Sequence, residues 1–194
     1  DSANIEQLDF LAGEFALKGS GNLSQLSTKN AGVSFALKTT EFMVDKSKQY
    51  PPLALFPASL HELIQKVFKN GTLQVNAIKF NGTLDQLKNL SDPKNLGLLD
   101  VDLSLNKIDW AFPLPPFQKV NGSLKLKSGE IITDLNKSLY EGVPVAKLTG
   151  LIKNLTDRAL LDWLLQSEVD LAQLHKALPK ILNDNSFNDL LDHY

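Results

Sequence analysis

The feature that most constrains this chain is strict alternation of apolar and polar residues over short runs. Val33, Phe35 and Leu37 fall on one side of "VSFALKTTEFMV", and Val101, Leu103 and Leu105 on one side of "LLDVDLSLNKIDW". That period of two is the period of a β-strand, whose successive side chains point to opposite faces. The other faces carry Ser34 and Lys38, or Asp102, Ser104 and Asn106, so each strand has one dry side and one wet side. Antiparallel sheets have this pattern. Further strands are expected over 13–23, 71–84, 121–127, 130–139, 144–152 and 158–169, which makes about eight. Turns are expected at Asn70-Gly71, Asn81-Gly82, Asn121-Gly122 and Ser128-Gly129.

Two amphipathic helices interrupt the strands. "SLHELIQKVF" opens with Ser59 and places Glu62 three positions on, a capping box, with Leu60, Leu63, Ile64 and Val67 on one face. Near the end, Leu171, Leu174, Leu178 and Leu182 recur at helical spacing, with Pro179 positioned to kink or divide the helix. The expected fold is therefore α+β and mainly β: an antiparallel, twisted sheet of about eight strands with two helices. Glycine-centred phrases recur as "LKGSGNL", "FNGTLDQL", "VNGSLKL" and "LTGLIKNL", at unequal spacing, which argues against a fixed-period solenoid. Residues 11–69 and 120–194 form two loosely related strand-strand-helix halves of a single segment, and "FPLPPF" at 112–117 reads as a rigid connection between strands.

A chain of 194 residues with 43% hydrophobic and 22% charged residues can bury a core. Its net charge of −2 gives no reason to expect nucleic acid, which demands a concentrated basic surface. The lack of cysteine excludes disulfides, thiol catalysis and Cys-ligated metals. No apolar run is long enough to span a bilayer, and the polar start "DSANIEQ" has no signal-peptide pattern, as expected of a processed protein or an excised piece.

Catalytic and metal motifs are weak. His61, His175 and His193 stand alone in helical patterns with no paired ligand spacing. Asp100 and Asp102 alternate onto the wet side of a strand, a placement that explains them without acid-base chemistry. No phosphate loop, dinucleotide fingerprint or nucleophile elbow occurs, because the glycines lie between strands and open no helix. No catalytic residue, cofactor or metal is expected. Asn-x-Ser/Thr sequences stand at Asn22, Asn70, Asn81, Asn89, Asn121, Asn136 and Asn154, and the Asn-Gly members are accounted for by turn geometry.

The order of a helix, "NGTLQVNAIKFNG", an alternating strand, a Pro-rich connection, "VNGSLKLKSGEI", "GVPVAKLTG" and a strand closing in "VDLAQL" resembles the AsmA-like envelope proteins, in particular their YhdP branch. The likeness covers roughly residues 60–175, with 11–59 as a preceding unit of the same kind. It implies a long, groove-shaped, taco-like sheet in the periplasm of Gram-negative bacteria. The full-length protein would be anchored in the inner membrane and pass phospholipid to the outer membrane along an apolar groove. It implies no catalytic residues. The lipid-binding positions it implies are the inward-facing ones, here Val33, Phe35, Leu37, Val101, Leu103, Leu105, Leu124, Leu126, Trp163, Leu165 and Val169. This chain lacks the family's amino-terminal membrane helix and is short, so it would be one segment of a larger conduit, with other envelope proteins as further partners. The alternative is a closed β-rich interaction module, whose dry face is an ordinary core.

Overall fold

The computed structural model describes residues 1–28, 30–47, 67–90, 92–110, 117–140, 142–153 and 160–166. They form one antiparallel sheet of eleven strands. These are β1 Ser2–Ala12, β2 Phe15–Ser24, β3 Gly32–Thr39, β4 Phe42–Met43, β5 Phe68–Lys69, β6 Thr72–Thr83, β7 Leu99–Trp110, β8 Phe117–Lys127, β9 Glu130–Tyr140, β10 Val143–Lys153 and β11 Leu160–Gln166. The order across the sheet is β1-β2-β3-β6-β7-β8-β9-β10-β11, with β4 on β6 and β5 on β7. The sheet is open, with β1 and β11 at its two edges among the described residues.

The expectation of a mainly antiparallel sheet holds, and the strand number rises from about eight to eleven. Two of the added strands are fragments. β4 keeps β3's register on β6, since Leu37 faces Ile78 and Phe42 faces Leu73. β5 likewise keeps β6's register on β7, with Phe68 facing Trp110 and Thr72 facing Asn106. Each pair is one strand with an interruption. The nine strands of the main path, at about 4.8 Å each, still give a sheet about 40 Å wide.

Where β3 breaks, side chains replace the ladder. Thr39, buried at 8% exposure, accepts from the Val75 N–H at 3.1 Å. Its neighbour Thr40 accepts from Ala16 N–H at 2.8 Å and donates to the Glu14 carbonyl at 3.2 Å. Thr39→Val keeps the shape and removes the acceptor, so Val75 N–H loses its partner. The expected loss is about 1–3 kcal/mol in a urea titration.

The Ser128-Gly129 turn is as expected: Lys127 faces Glu130, and both central residues have positive φ (53° and 79°), a type I′ hairpin. Two other expected turns are not turns. Asn81-Gly82 lies inside β6 and Asn121-Gly122 inside β8. Asn70-Gly71 (φ 54° and 72°) is the kink between β5 and β6 in their common path, not a hairpin. The repeated glycine phrases therefore place glycine within strands, Gly19 in β2, Gly82 in β6, Gly122 in β8 and Gly150 in β10, correcting the expectation that they lie between strands.

The described helices are short. α1, Leu84–Lys88, begins at a capping box in which Gln86 N–H donates to Thr83 Oγ1 at 3.2 Å and Thr83 N–H to Gln86 Oε1 at 2.8 Å. α2, Pro93–Leu96, starts on Asp92. The amphipathic helices expected near 59–67 and 171–182 fall on 59–66 and 167–194, which lie outside the described residues, as do His61, His175, His193 and most of the Pro-rich connection.

Four adjacent strands share a phase slip. In β7, β8, β9 and β10 two consecutive exposed residues separate buried ones: Leu105/Ile108, Phe117/Val120, Leu135/Ser138 and Val145/Leu148. The second exposed residue is a lysine each time: Lys107, Lys119, Lys137 and Lys147. Lys107, Lys119 and Lys137 have φ of 54°, 53° and 52°, left-handed values that cost a non-glycine residue about 1–2 kcal/mol. Between β7 and β8 the register shifts at Lys107 and back at Lys119, β-bulges that add twist. The β8/β9 and β9/β10 pairs stay in register across Lys137 and Lys147 because their strands slip together, and in all four strands inward facing resumes beyond the slip.

Candidate functional site

Register aligns the inward residues of successive strands into a continuous apolar face. Val33, Phe35 and Leu37 stand opposite Leu23, Gly21 and Gly19 on one side and Gly82, Phe80 and Ile78 on the other. Ile78, Val75 and Leu73 face Val101, Leu103 and Leu105. Val101 and Leu103 face Leu126 and Leu124, which in turn meet Ile131 and Thr133. Leu135 meets Leu148, and the register continues by pairing Leu148 with Leu165 and Gly150 with Trp163. Of the residues expected to line the dry face, Val33, Phe35, Leu37, Val101, Leu103, Leu105, Leu124 and Leu126 are thus brought onto one face. Trp163 and Leu165 are placed by backbone pairing alone, and Val169 lies outside the described residues.

Exposure varies along the face. At one end Phe15, Phe42, Phe68, Leu105, Ile108, Trp110, Phe117 and Val120 are buried in one cluster. Aromatic rings meet edge-on there, with Phe15 and Phe42 centroids 5.8 Å apart and Phe68 and Trp110 6.0 Å apart. Toward the other end Phe35, Leu37, Ile78, Val101, Leu103, Leu126 and Ile131 keep partial exposure, with Val33, Phe80 and Ile152 buried among them. Phe35 stacks on Phe80 at 5.8 Å and an interplanar angle of 26°.

Glycine shapes this face at its closest contact. Gly122 (φ 139°) sits where a Cβ would lie 2.2 Å from the Asp134 carbonyl oxygen and 2.7 Å from Leu135 Cα, so β8 and β9 approach only because the side chain is absent. Among the described residues polar atoms on this face are few: Thr133 Oγ1 donates to the Gly150 carbonyl at 3.3 Å, and the buried Ser138 hydroxyl finds no partner among them.

The opposite face is wet. Asp102, as expected, points to it, pairing with Lys125 at 3.3 Å and accepting from Asn76 at 3.0 Å, while Asp100 is exposed. Lys147 pairs with Asp134 at 3.8 Å. Glu41 accepts from Thr72 and, at 3.0 Å, from Asn106, and these hydrogen bonds hold its carboxyl below the ordinary carboxylate range.

Sequence reasoning missed β6's contribution, Leu73, Val75, Ile78 and Phe80, because the bulge between Val75 and Ala77 breaks the alternation of "TLQVNAIKF". It also missed Ile131, Leu135, Leu148 and Ile152, although Ile131-Thr133-Leu135 alternates plainly. Compared with protein-family models, curated proteins and solved structures, the chain finds no match.

Proposed function

We propose that the chain is a β-rich segment of an AsmA/YhdP-like periplasmic protein whose apolar face forms a groove for phospholipid acyl chains, with headgroups left in water. The observation that carries this reading is the unbroken apolar row from β2 to β10, closed into a core at the Trp110 end and still partly exposed around Phe35, Val101 and Leu126. Each CH₂ kept from water is worth about 0.8 kcal/mol, so a continuous track lets a chain slide without losing that gain at every step. Glycines on the row at 19, 21, 82 and 122 add no side chain above the backbone and keep its floor low. The likeness of residues 60–175 to that family adds the rest of the proposal: a conduit between inner and outer membranes, anchored in the inner membrane through the full-length protein. No enzymatic step is invoked.

The second reading is a closed interaction module, favoured by the deep burial of Leu105, Leu124 and Val33 at 4%, 7% and 8% exposure. Native mass spectrometry of the purified chain, with lipid extraction of the same sample, separates the two. The groove reading expects bound phospholipid that is lost in Leu103→Asp and Leu126→Asp while the far-ultraviolet circular dichroism of the sheet is retained. Folded Asp variants that keep their lipid would refute it. Variants that unfold before any lipid is lost make these positions core, as the closed module requires.

A further inference from the structure

The wet face carries a second feature that is independent of the acyl-chain reading. Lys107, Lys119 and Lys137 lie on three adjacent strands at the row of slips, and with Asp109 and Asn121 they line a concavity of about 560 Å³. The two non-lysine side chains hold neighbouring strands together. Asp109 accepts from Lys119 N–H at 3.0 Å and from Asn70 Nδ2 at 2.8 Å. Asn121 accepts from Lys107 N–H at 3.1 Å and donates to the carbonyls of Lys119 at 2.9 Å and Lys137 at 3.4 Å. One asparagine thus ties β7, β8 and β9 together. The three ammonium groups have no ion-pair partner among the described residues, whereas Lys125 and Lys147 on the same face are paired with Asp102 and Asp134.

The backbone makes lysine a costly choice at these positions. All three residues have φ near 53°, where glycine or asparagine would sit with less strain. Lysine at each of them brings three positive charges to one concave place, and the Asp109 carboxylate, held by neutral N–H donors, offsets one and leaves a net excess of two. Ammonium groups bind phosphate as point charges, and three lysines lining one concavity against a single carboxylate suit an anion with several oxygens. We propose that Lys107, Lys119 and Lys137 form a binding site for a phosphate group, borne either by a small free anion or by a lipid headgroup.

Calorimetric titration of the full chain with inorganic phosphate and with pyrophosphate, alongside co-sedimentation with phosphatidylcholine vesicles with and without phosphatidylglycerol, tests the site. The triple variant Lys107→Gly, Lys119→Gly, Lys137→Gly removes the charge at positions whose backbone suits glycine, so the sheet is kept. A second triple variant, Lys38→Gln, Lys79→Gln, Lys88→Gln, removes the same charge elsewhere. The expected result is saturable binding weakened about tenfold or more in the glycine variant and unchanged in the glutamine variant. Binding of phosphate or pyrophosphate assigns the site to a free phosphate group, and binding confined to phosphatidylglycerol vesicles assigns it to a headgroup. The proposal is overturned if none of the probes binds saturably, or if both variants weaken binding equally, which would mark a response to net charge alone. Neither result bears on acyl-chain retention by the opposite face, which is read by a different assay.

Discussion

Gly122→Ala is expected to remove about 3 kcal/mol or more of stability, a large share of what holds a typical domain folded. Two penalties coincide at this residue. Its φ of 139° lies in a region nearly closed to side chains, and the added Cβ would meet Asp134 O at 2.2 Å and Leu135 Cα at 2.7 Å. Both obstacles are backbone of β9, held in the ladder on either side, so no rotamer change relieves them. The informative comparison is Gly129→Ala. That glycine also has positive φ, 79°, but a Cβ there would find its nearest neighbour 4.0 Å away, so only the conformational cost of about 1–2 kcal/mol applies. Urea midpoints of the two variants should differ widely. If they coincide, β8 and β9 are not in close contact at Gly122.

Trp110→Ala should cost about 3–5 kcal/mol, the range for deleting a large buried aromatic side chain. Trp110 is 2% exposed, faces Phe68 on β5 and Phe117 on β8, and belongs to the cluster that closes one end of the apolar face. Phe35→Ala, at the partly exposed end, removes a stacked ring from a site with solvent on one side and should cost clearly less in the same urea titration. The contrast distinguishes an end built for stability from an end whose apolar surface is retained at lower energetic return. Equal losses would mean that the face is uniformly core, and the groove reading would lose its main support.

Much of the fold was legible because alternation is a direct record of facing. The strands containing Val33, Val101, Leu124 and Ile131 follow from it, and so does the placement of eight candidate lining residues on one side. β1 was missed although Ala3 and Ile5, then Leu8 and Phe10, alternate, because the slip at Glu6-Gln7, where the β1–β2 register also shifts, divides the pattern into two short pieces. Asn-Gly misled at 81–82 and 121–122. The pair is a turn signal because glycine tolerates unusual φ, but glycine also permits a close inter-strand approach, and local sequence does not tell these uses apart. α1 was hidden by its length, five residues with no periodicity to read, although Thr83 and Gln86 carry a capping box. The lysine row was legible in principle. An apolar residue, one spacer, lysine and another apolar residue recur as "LNKI", "FQKV" and, with its closing position serine, "LNKS", then again as "VAKL". Each breaks the alternation by one residue, a slip that looks like noise in a single strand and becomes a pattern only when neighbouring strands are aligned.

The same slips decide where related chains can differ in length. Removing one residue from a regular strand inverts everything beyond it, sending apolar groups to water and charges inward. Removing the extra residue at Lys107, Lys119, Lys137 or Lys147 instead joins two segments whose buried residues already lie on one side, as Phe117 and Val120 do around Gln118-Lys119. Single-residue deletions among relatives of this sheet should therefore gather on that transverse line, where the pleat absorbs them as a loss of local twist. Elsewhere in these strands a change of length would have to come in pairs.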